Sequence, residues 1–460
     1  MYQIDFKKPQ TIHFIGIGGI SMSGLAEILL VEGFKITGSD SHESELTDHL
    51  AAKGAVIHYG QCAENITDDI DVAVYTAAVH PDNPEYQAVI AKNIPILTRA
   101  ELLGQIMTNY RHSVAVSGTH GKTTTTSMIT EILLAADADP TISVGGILNS
   151  IGGNIRVGGP ELFVTEACEY TNSFLSFLPT MELILNIEAD HLDFFKDIDD
   201  IRHSFRLFAE KLPEHGVLII NSDIDNYQEI SGNLPCEVIT CGSSVENSDY
   251  SAANIVYDEL ARPTYDLMYH GEKIAVITLG TTGVHNVYNS LAAIAAVRRI
   301  GIGMDMIQAG LKKFTGTNRR FEKKGVLGGV TIIDDYAHHP GEIAATLAAA
   351  KNYPHKKIWC VFQPHTYTRT KALLHDFAKA LSAADAVVLA DIYAARETDT
   401  LGISSRDVAD LIEAAGTPAY YIRSFDEIET FILENCVNGD LLITMGAGDI
   451  VKVGEELLGQ

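Results

Sequence analysis

The chain has 460 residues, which at about 150 residues per domain points to about three domains and excludes a single small binding module. Hydrophobic residues make up 46% and charged residues 20%, the composition of a globular protein rather than a disordered or low-complexity one. A net charge of −27 repels polyphosphate at long range and argues against a nucleic-acid partner, so any phosphate site must be built locally from backbone N–H groups, a few basic side chains or a divalent cation.

Short β-branched apolar runs alternate with helical patterns, which predicts an α/β protein whose parallel sheets are connected through helices. The first segment opens with a strand at Thr11–Ile15, a glycine-rich turn, a helix to about Gly33, and strands at Lys35–Thr37 and Asp71–Tyr75. Its turn, Gly16-Ile17-Gly18-Gly19-Ile20-Ser21, approximates the dinucleotide fingerprint, with Ser21 where the third glycine of G-x-G-x-x-G would stand. Ser39 and Asp40 end the next strand, with Asp40 placed to reach a ribose hydroxyl. A sugar nucleotide satisfies this physics as well as NAD does, because both present a pyrophosphate to a helix N-terminus.

A second αβ series starts with a strand at Ser113–Ser117 and runs into Gly118-Thr119-His120-Gly121-Lys122-Thr123-Thr124 before a helix. The glycines let backbone N–H groups face phosphates, Lys122 reaches the β and γ phosphates of ATP, and Thr123 offers its hydroxyl to Mg²⁺. The motif departs from the full P-loop spacing, since Val116 stands five before Gly121 and the first glycine comes two residues later. Further strands are expected near Phe163, at Leu183–Ile187 and at Val217–Asn221. Two of them are followed by acidic or imidazole clusters, Glu166-Ala167-Cys168-Glu169 and Glu188-Ala189-Asp190-His191-Leu192-Asp193. These suit Mg²⁺ bridging phosphate and substrate, but the residues alone do not select among them. Asn286 and Asn289, one turn apart at a helix start, either cap that helix or read an adenine edge.

The third series has strands at Val330–Ile333, Ile358–Phe362, Ala386–Leu389 and Leu441–Thr444. Arg319-Arg320-Phe321 stands at its entrance, where a guanidinium can cross a cleft to a transferring phosphate. Asp335-Tyr336-Ala337-His338-His339 and Gln363-Pro364-His365-Thr366-Tyr367-Thr368-Arg369 follow adjacent strands, suggesting a pocket for something small, polar and carboxylated. Gly446-Ala447-Gly448-Asp449 reads as a tight turn without chemistry. No run approaches the 18 or so apolar residues of a membrane helix, and Met1–Asp5 lacks a basic region followed by an apolar stretch, so a cytoplasmic protein without a membrane partner is expected. The six cysteines are scattered without a C-x-x-C pair, fitting buried thiols rather than disulfides or a zinc site.

Taken in order, the glycine turn at Gly16–Gly19, Gly118–Thr123, Asp190–Asp193, His285-Asn286, Arg319–Phe321 and Asp335–Pro340 resemble the motifs of the Mur ligases along the whole chain. Within that family the chain is most similar to the branch that adds L-alanine. The resemblance implies three domains: 1–110, Rossmann-like, for a UDP-sugar; 111–316, a P-loop ATPase-type parallel or mixed sheet; and 317–460, Rossmann-like, for the amino acid. It implies an ATP-dependent ligase joining L-alanine to the lactyl carboxylate of UDP-N-acetylmuramate in peptidoglycan precursor synthesis, active as a monomer or weak homodimer.

Residue by residue, the resemblance implies that the phosphate loop Gly118 to Thr124, and Lys122 above all, holds the phosphates, with Thr123, Glu166 and His191 on Mg²⁺. Asn286 and Asn289 would face adenine, Asp335 the ribose and Arg320 the γ-phosphate. Tyr336, His338 and Arg369 would meet L-alanine, His338 as the candidate base, while Gly16, Gly18, Gly19, Ser39 and Asp40 would hold the UDP part. Two departures stand out: Thr366 where many alanine-adding members have arginine, and Phe205 where ligases for later amino acids carry a carbamoylated lysine, so no carbamate is expected.

Overall fold

The computed structural model describes residues 2–76, 78–395 and 397–460, and its strands form three successive sheets. The first has five parallel strands in the order Val56–Tyr59, Lys35–Asp40, Thr11–Ile15, Val72–Tyr75 and Ile96–Thr98. Its middle strand is covered on both faces, which is why Ile12, Phe14 and Ile15 form a nearly unbroken apolar run. Helix Ile20–Val31 follows the glycine turn, and Gly24 on it lies so close to the second sheet that a Cβ there would stand 2.4 Å from Ile155 Cγ1.

The second sheet has ten strands, with a parallel centre of Val217–Asn221, Met181–Ile184, His112–Ser117, Leu162–Ala167 and Thr141–Leu148. Antiparallel strands Pro263–Tyr269 and Glu272–Thr278 extend one edge. Helix Lys122–Ala135 packs against Val284–Ile300 and Met304–Lys313, burying Met128, Ile129, Ile132 and Leu133 in one core with Leu291, Ile294 and Ile307. Phe205, on helix Ile198–Ala209, is fully buried with its ring 5.3 Å from that of Phe174.

The third sheet runs Glu322–Leu327, Val330–Asp335, Leu441–Met445, Ile358–Phe362, Ala386–Leu389 and Ala419–Tyr421, parallel except for the first. Two expected limits are corrected. The strand expected to run to Ile187 ends at Ile184, because Asn186 leaves the ladder and uses its side chain on the phosphate loop instead. The strand expected to end at Ile333 continues to Asp335, since Asp334 and Asp335 pair with Thr444 and Met445. Among the described residues, no helix is long and apolar enough to cross a membrane.

Candidate active site at the domain junction

The phosphate loop leaves strand His112–Ser117 and enters helix Lys122–Ala135 through two left-handed glycines, Gly118 at φ 135° and Gly121 at φ 83°. A Cβ on Gly121 would sit 2.7 Å from Asn289 Oδ1, so this position needs glycine for space as well as for conformation. Asn186 fixes the loop: its Oδ1 accepts from the His120 N–H at 2.7 Å and its Nδ2 donates to the His120 carbonyl at 3.0 Å. Lys122 Nζ donates to the carbonyls of Gly118 and Thr119 and lies 3.1 Å from Glu169 Oε2. Burial opposes the charge on Lys122, but Glu169, together with Cys168 and Glu166, outweighs it and raises the pKa.

Glu166 ends strand Leu162–Ala167 beside this loop, accepting from the Gly145 N–H at 2.6 Å. Burial pushes its carboxyl above the ordinary range, against the opposing hydrogen bonds from Gly145 and the Thr123 hydroxyl. His191 takes a left-handed conformation at φ 53° and stacks on Tyr170 with ring centroids 4.6 Å apart. Its Nε2 stands 4.0 Å from Glu169 Oε1 and 3.8 Å from Asp190 Oδ2. Thr123 and Glu166 form one hard-oxygen pair, whereas the carboxylates paired with His191 are Asp190 and Glu169.

From the third domain, the carboxylate of Glu342 reaches the loop. Glu342, in the first turn of helix Pro340–Lys351, lies 3.4 Å from His120 Nδ1, 3.5 Å from Arg320 Nη1 and 3.3 Å from His338 Nδ1. These three groups hold its carboxyl well below the usual range in spite of burial. His120 is also 3.3 Å from Glu188 Oε2; burial disfavours its charge, but the two carboxylates prevail and lift its pKa to about 9. Burial instead lowers His338 to about 4, only partly offset by Glu342, so its imidazole is neutral at pH 7.

The twin arginines divide their work. Arg319 binds Asp334 at 2.9 Å and the carbonyls of Gly448 and Gly446 at 3.0 and 2.8 Å, which gives the tail turn a structural use. Arg320 faces the site, and its guanidinium lies 5.2 Å from the Tyr336 ring centroid. Asp335 accepts from the N–H groups of Phe321 and Ala337, both at 2.8 Å, and burial raises its pKa to about 6.

Lys122, Thr123, His191, Arg320 and His338 line one small cavity of about 130 Å³. Gly121, Thr124, Asn286, Asn289, Arg320 and Asp335 line a second of about 190 Å³, and His120 and Glu342 border both. Asn289 Nδ2 donates to Asn286 Oδ1 at 3.0 Å, and Asn286 Nδ2 to the Thr282 carbonyl at 2.7 Å, so neither amide caps the helix, whose N-cap is Gly283.

A third cavity, of about 550 Å³, contains Asp190, His191, His365, Thr366 and Arg369. Arg369 binds Asp190 Oδ1 through Nε at 3.1 Å and Nη2 at 3.0 Å, with Nη1 3.1 Å from His365 Nδ1. Thr366 has φ 65°, strained for a β-branched residue.

In the first domain, Gly16 has φ 85°, and the N–H groups of Gly16 and Ile17 both donate to the Ser39 carbonyl at 2.9 Å. Asp40 accepts from the Gly18 N–H at 2.8 Å, which pins the turn to the neighbouring strand. Gly19 ends the turn as the N-cap of helix Ile20–Val31. Ser39 is fully buried and donates to Glu85. Of the residues that build this junction, Glu342 was missed in the sequence; an acid three positions past the His339 cap, in the first helical turn, was its available signal.

Three family profiles match the chain: Mur ligase family, catalytic domain, over 11–111; Mur ligase middle domain over 116–297; and Mur ligase, glutamate ligase domain, over 319–448. The UDP-N-acetylmuramate--L-alanine ligase of Lachnospira eligens is 66% identical over 458 residues, covering 100% of both chains. That of Caldanaerobacter subterraneus is 52% identical, covering 99% of each. The solved UDP-N-acetylmuramate-alanine ligase of Thermotoga maritima superposes with a TM-score of 0.77 at 29% identity, over 98% of each chain. With profiles along its length and full-length relatives this similar, the chain belongs to the Mur ligase family.

Proposed function

We propose that this protein joins L-alanine to the lactyl carboxylate of UDP-N-acetylmuramate at the expense of ATP, releasing ADP and phosphate, in peptidoglycan precursor synthesis. The reading is carried by the full-length similarity to relatives bearing that name, together with the convergence of Lys122, Thr123, His191, Arg320 and His338 on one cavity between domains. We place the reaction in the cytoplasm, in a monomer or weak homodimer, with domains at 1–110, 111–316 and 317–460.

A carboxylate is a poor acceptor for an amine, so it must first be activated. A lactyl carboxylate oxygen attacks the γ-phosphorus in line, the bond to ADP breaks, and an acyl phosphate forms. Lys122 and the loop N–H groups hold the β and γ phosphates, and Arg320 balances charge moving toward ADP. Asn286 and Asn289 face the adenine and Asp335 the ribose. Thr123 and Glu166 suit Mg²⁺ because both present hard oxygens within hydrogen-bonding reach of each other, and His191, in the loop after the parallel strand Met181–Ile184, would join them from the same edge of the sheet. When bound, that ion neutralises phosphate charge.

The amine of L-alanine then attacks the acyl carbon, and phosphate leaves as the tetrahedral intermediate collapses. His338, neutral at pH 7, takes the amine proton. Tyr336 borders the alanine, and Arg369 meets its carboxylate: three of the five guanidinium N–H groups are engaged by Asp190 and His365, which leaves two. The turn at Gly16, Gly18 and Gly19, backed by Ser39 and Asp40, holds the UDP moiety.

The test is phosphate release with each substrate omitted in turn. Release that needs ATP, UDP-N-acetylmuramate and L-alanine together supports the reading; product formation without ADP sinks it. The cavity beside Arg369, about 550 Å³, is larger than L-alanine needs, so a tripeptide acceptor belongs in the same assay. Preference for tripeptide would move the protein to the recycling ligases.

A further inference from the structure

Arg99 is the first residue of helix Arg99–Met107, where the helix dipole disfavours a cation. Among the described residues its one hydrogen bond runs from Nη1 to Ser21 Oγ at 3.1 Å, and no carboxylate pairs with it. Burial pulls its pKa down, and only the Cys168 thiol works in the other direction. The other cations at the domain junctions each have an acid: Lys122 has Glu169, Arg319 has Asp334, Arg320 has Glu342 and Arg369 has Asp190. In a chain with 60 acidic residues, a partly buried guanidinium left to a serine hydroxyl is held ready for an anion from outside.

Its position narrows the choice of anion. Ser21 belongs to the helix that starts at the glycine turn, and that helix abuts the second sheet at Gly24 and Ile155. The helix of Arg99 abuts the same domain further along, where a Cβ on Gly104 would stand 2.0 Å from the Ser176 carbonyl oxygen. Cys168, the electrostatic neighbour of Arg99, directly precedes Glu169, which holds Lys122. Arg99 thus lies between the turn assigned to the UDP moiety and the lysine assigned to ATP.

We propose that Arg99 is a specificity-determining residue that grips the acid group to be phosphorylated, the carboxylate of the sugar-borne lactyl chain, and aims it at the phosphate loop. This rests on the ligase reading above. The guanidinium fork matches a carboxylate in two parallel hydrogen bonds, and the diphosphate of the same ligand is served by the first N–H groups of helix Ile20–Val31, which the glycine turn leads into.

The test is calorimetric binding of UDP-N-acetylmuramate and of UDP-N-acetylglucosamine, which lacks the lactyl acid, to the full-length protein and to R99A, R99K and S21A. R99A is expected to weaken UDP-N-acetylmuramate by about tenfold to a hundredfold and to leave UDP-N-acetylglucosamine within about twofold, which erases the preference between them. R99K recovers part of the loss, and S21A, which only frees the guanidinium, loses less than R99A. Unchanged ATP affinity shows that each variant is folded. Equal loss for both nucleotides assigns Arg99 to the diphosphate or to the shape of the turn and overturns the proposal, as does no loss in either R99A or R99K. A wild-type protein indifferent to the lactyl acid overturns the ligase reading itself.

Discussion

Arg369 donates from both Nε and Nη2 to a single oxygen of Asp190, at 3.1 and 3.0 Å, and so ties the third domain to the residue directly before His191. Both side chains are about nine-tenths buried, and the guanidinium holds Asp190 ionised well below the usual carboxylate range, against its burial. The pair is thus an inter-domain contact as well as a wall of the cavity assigned to L-alanine. Arg369→Ala is expected to lower kcat/KM for L-alanine about a hundredfold, and Asp190→Asn about tenfold, because the asparagine still accepts one N–H. In the double variant the losses should fall short of additivity by about 1–2 kcal/mol. Full additivity in steady-state assays would show that the arginine acts without Asp190.

The neighbouring arginines should separate stability from chemistry. Arg319→Ala leaves Asp334, which is fully buried, without its counter-ion and strips two carbonyl acceptors of the tail turn, at a cost of about 3–5 kcal/mol in denaturant unfolding. Arg320→Ala should leave unfolding within about 1 kcal/mol of wild type but lower kcat about a thousandfold, the scale of a lost phosphoryl-transfer arginine. Similar profiles for the two variants would erase the division drawn from their contacts.

Much of this was legible in the sequence because it is written locally. The glycines of the phosphate loop, its lysine and the strand-turn-helix rhythm all fall within a dozen residues, and strands such as Ile358–Phe362 and Ala386–Leu389 occur with the limits expected of them. Relations across domains were not legible. Asp190 and Arg369 are 179 positions apart, and nothing in either neighbourhood announces the other. The same holds for Glu342, whose first-turn position signals a helix start but not that His120 and Arg320 meet on it. Asn186 was masked differently: its flanking Leu185 and Ile187 extend the apolar run, so the strand looked longer than the ladder permits.

Lys122 sits in the second domain, and among the described residues its hydrogen bonds and ion pair go to its own loop carbonyls and Glu169, none of them on the first sheet. Lys122→Ala is therefore expected to abolish turnover, by about a thousandfold or more, while UDP-N-acetylmuramate affinity stays within about threefold. Calorimetry with the sugar nucleotide, set beside phosphate release, checks the separation. A comparable loss of sugar-nucleotide binding in a folded variant would contradict it.

His120 supplies a pH test of domain docking, because its partners come from two domains: Glu188 in the loop after strand Met181–Ile184 and Glu342 on the third domain. The neighbouring His339 ring, tilted against that of His120 with centroids 4.7 Å apart, has its pKa lowered by burial and stays neutral. The folded pKa of His120, about 9, lies above the ordinary 6.5, so its contribution to stability is complete below about pH 6.5 and is lost as pH rises through about 9. The two carboxylates are shifted down, so their share disappears only at acid pH, below the ordinary glutamate range. Because Glu188 is 45% exposed, solvent screening reduces the His120 contribution to about 1–2 kcal/mol. Thermal unfolding of the wild type should weaken between pH 6.5 and about 9.5, whereas His120→Asn, which cannot titrate, should follow a flatter curve that meets the wild-type curve at the alkaline end. If the two curves run parallel across that range, the imidazolium does not bind the domains together.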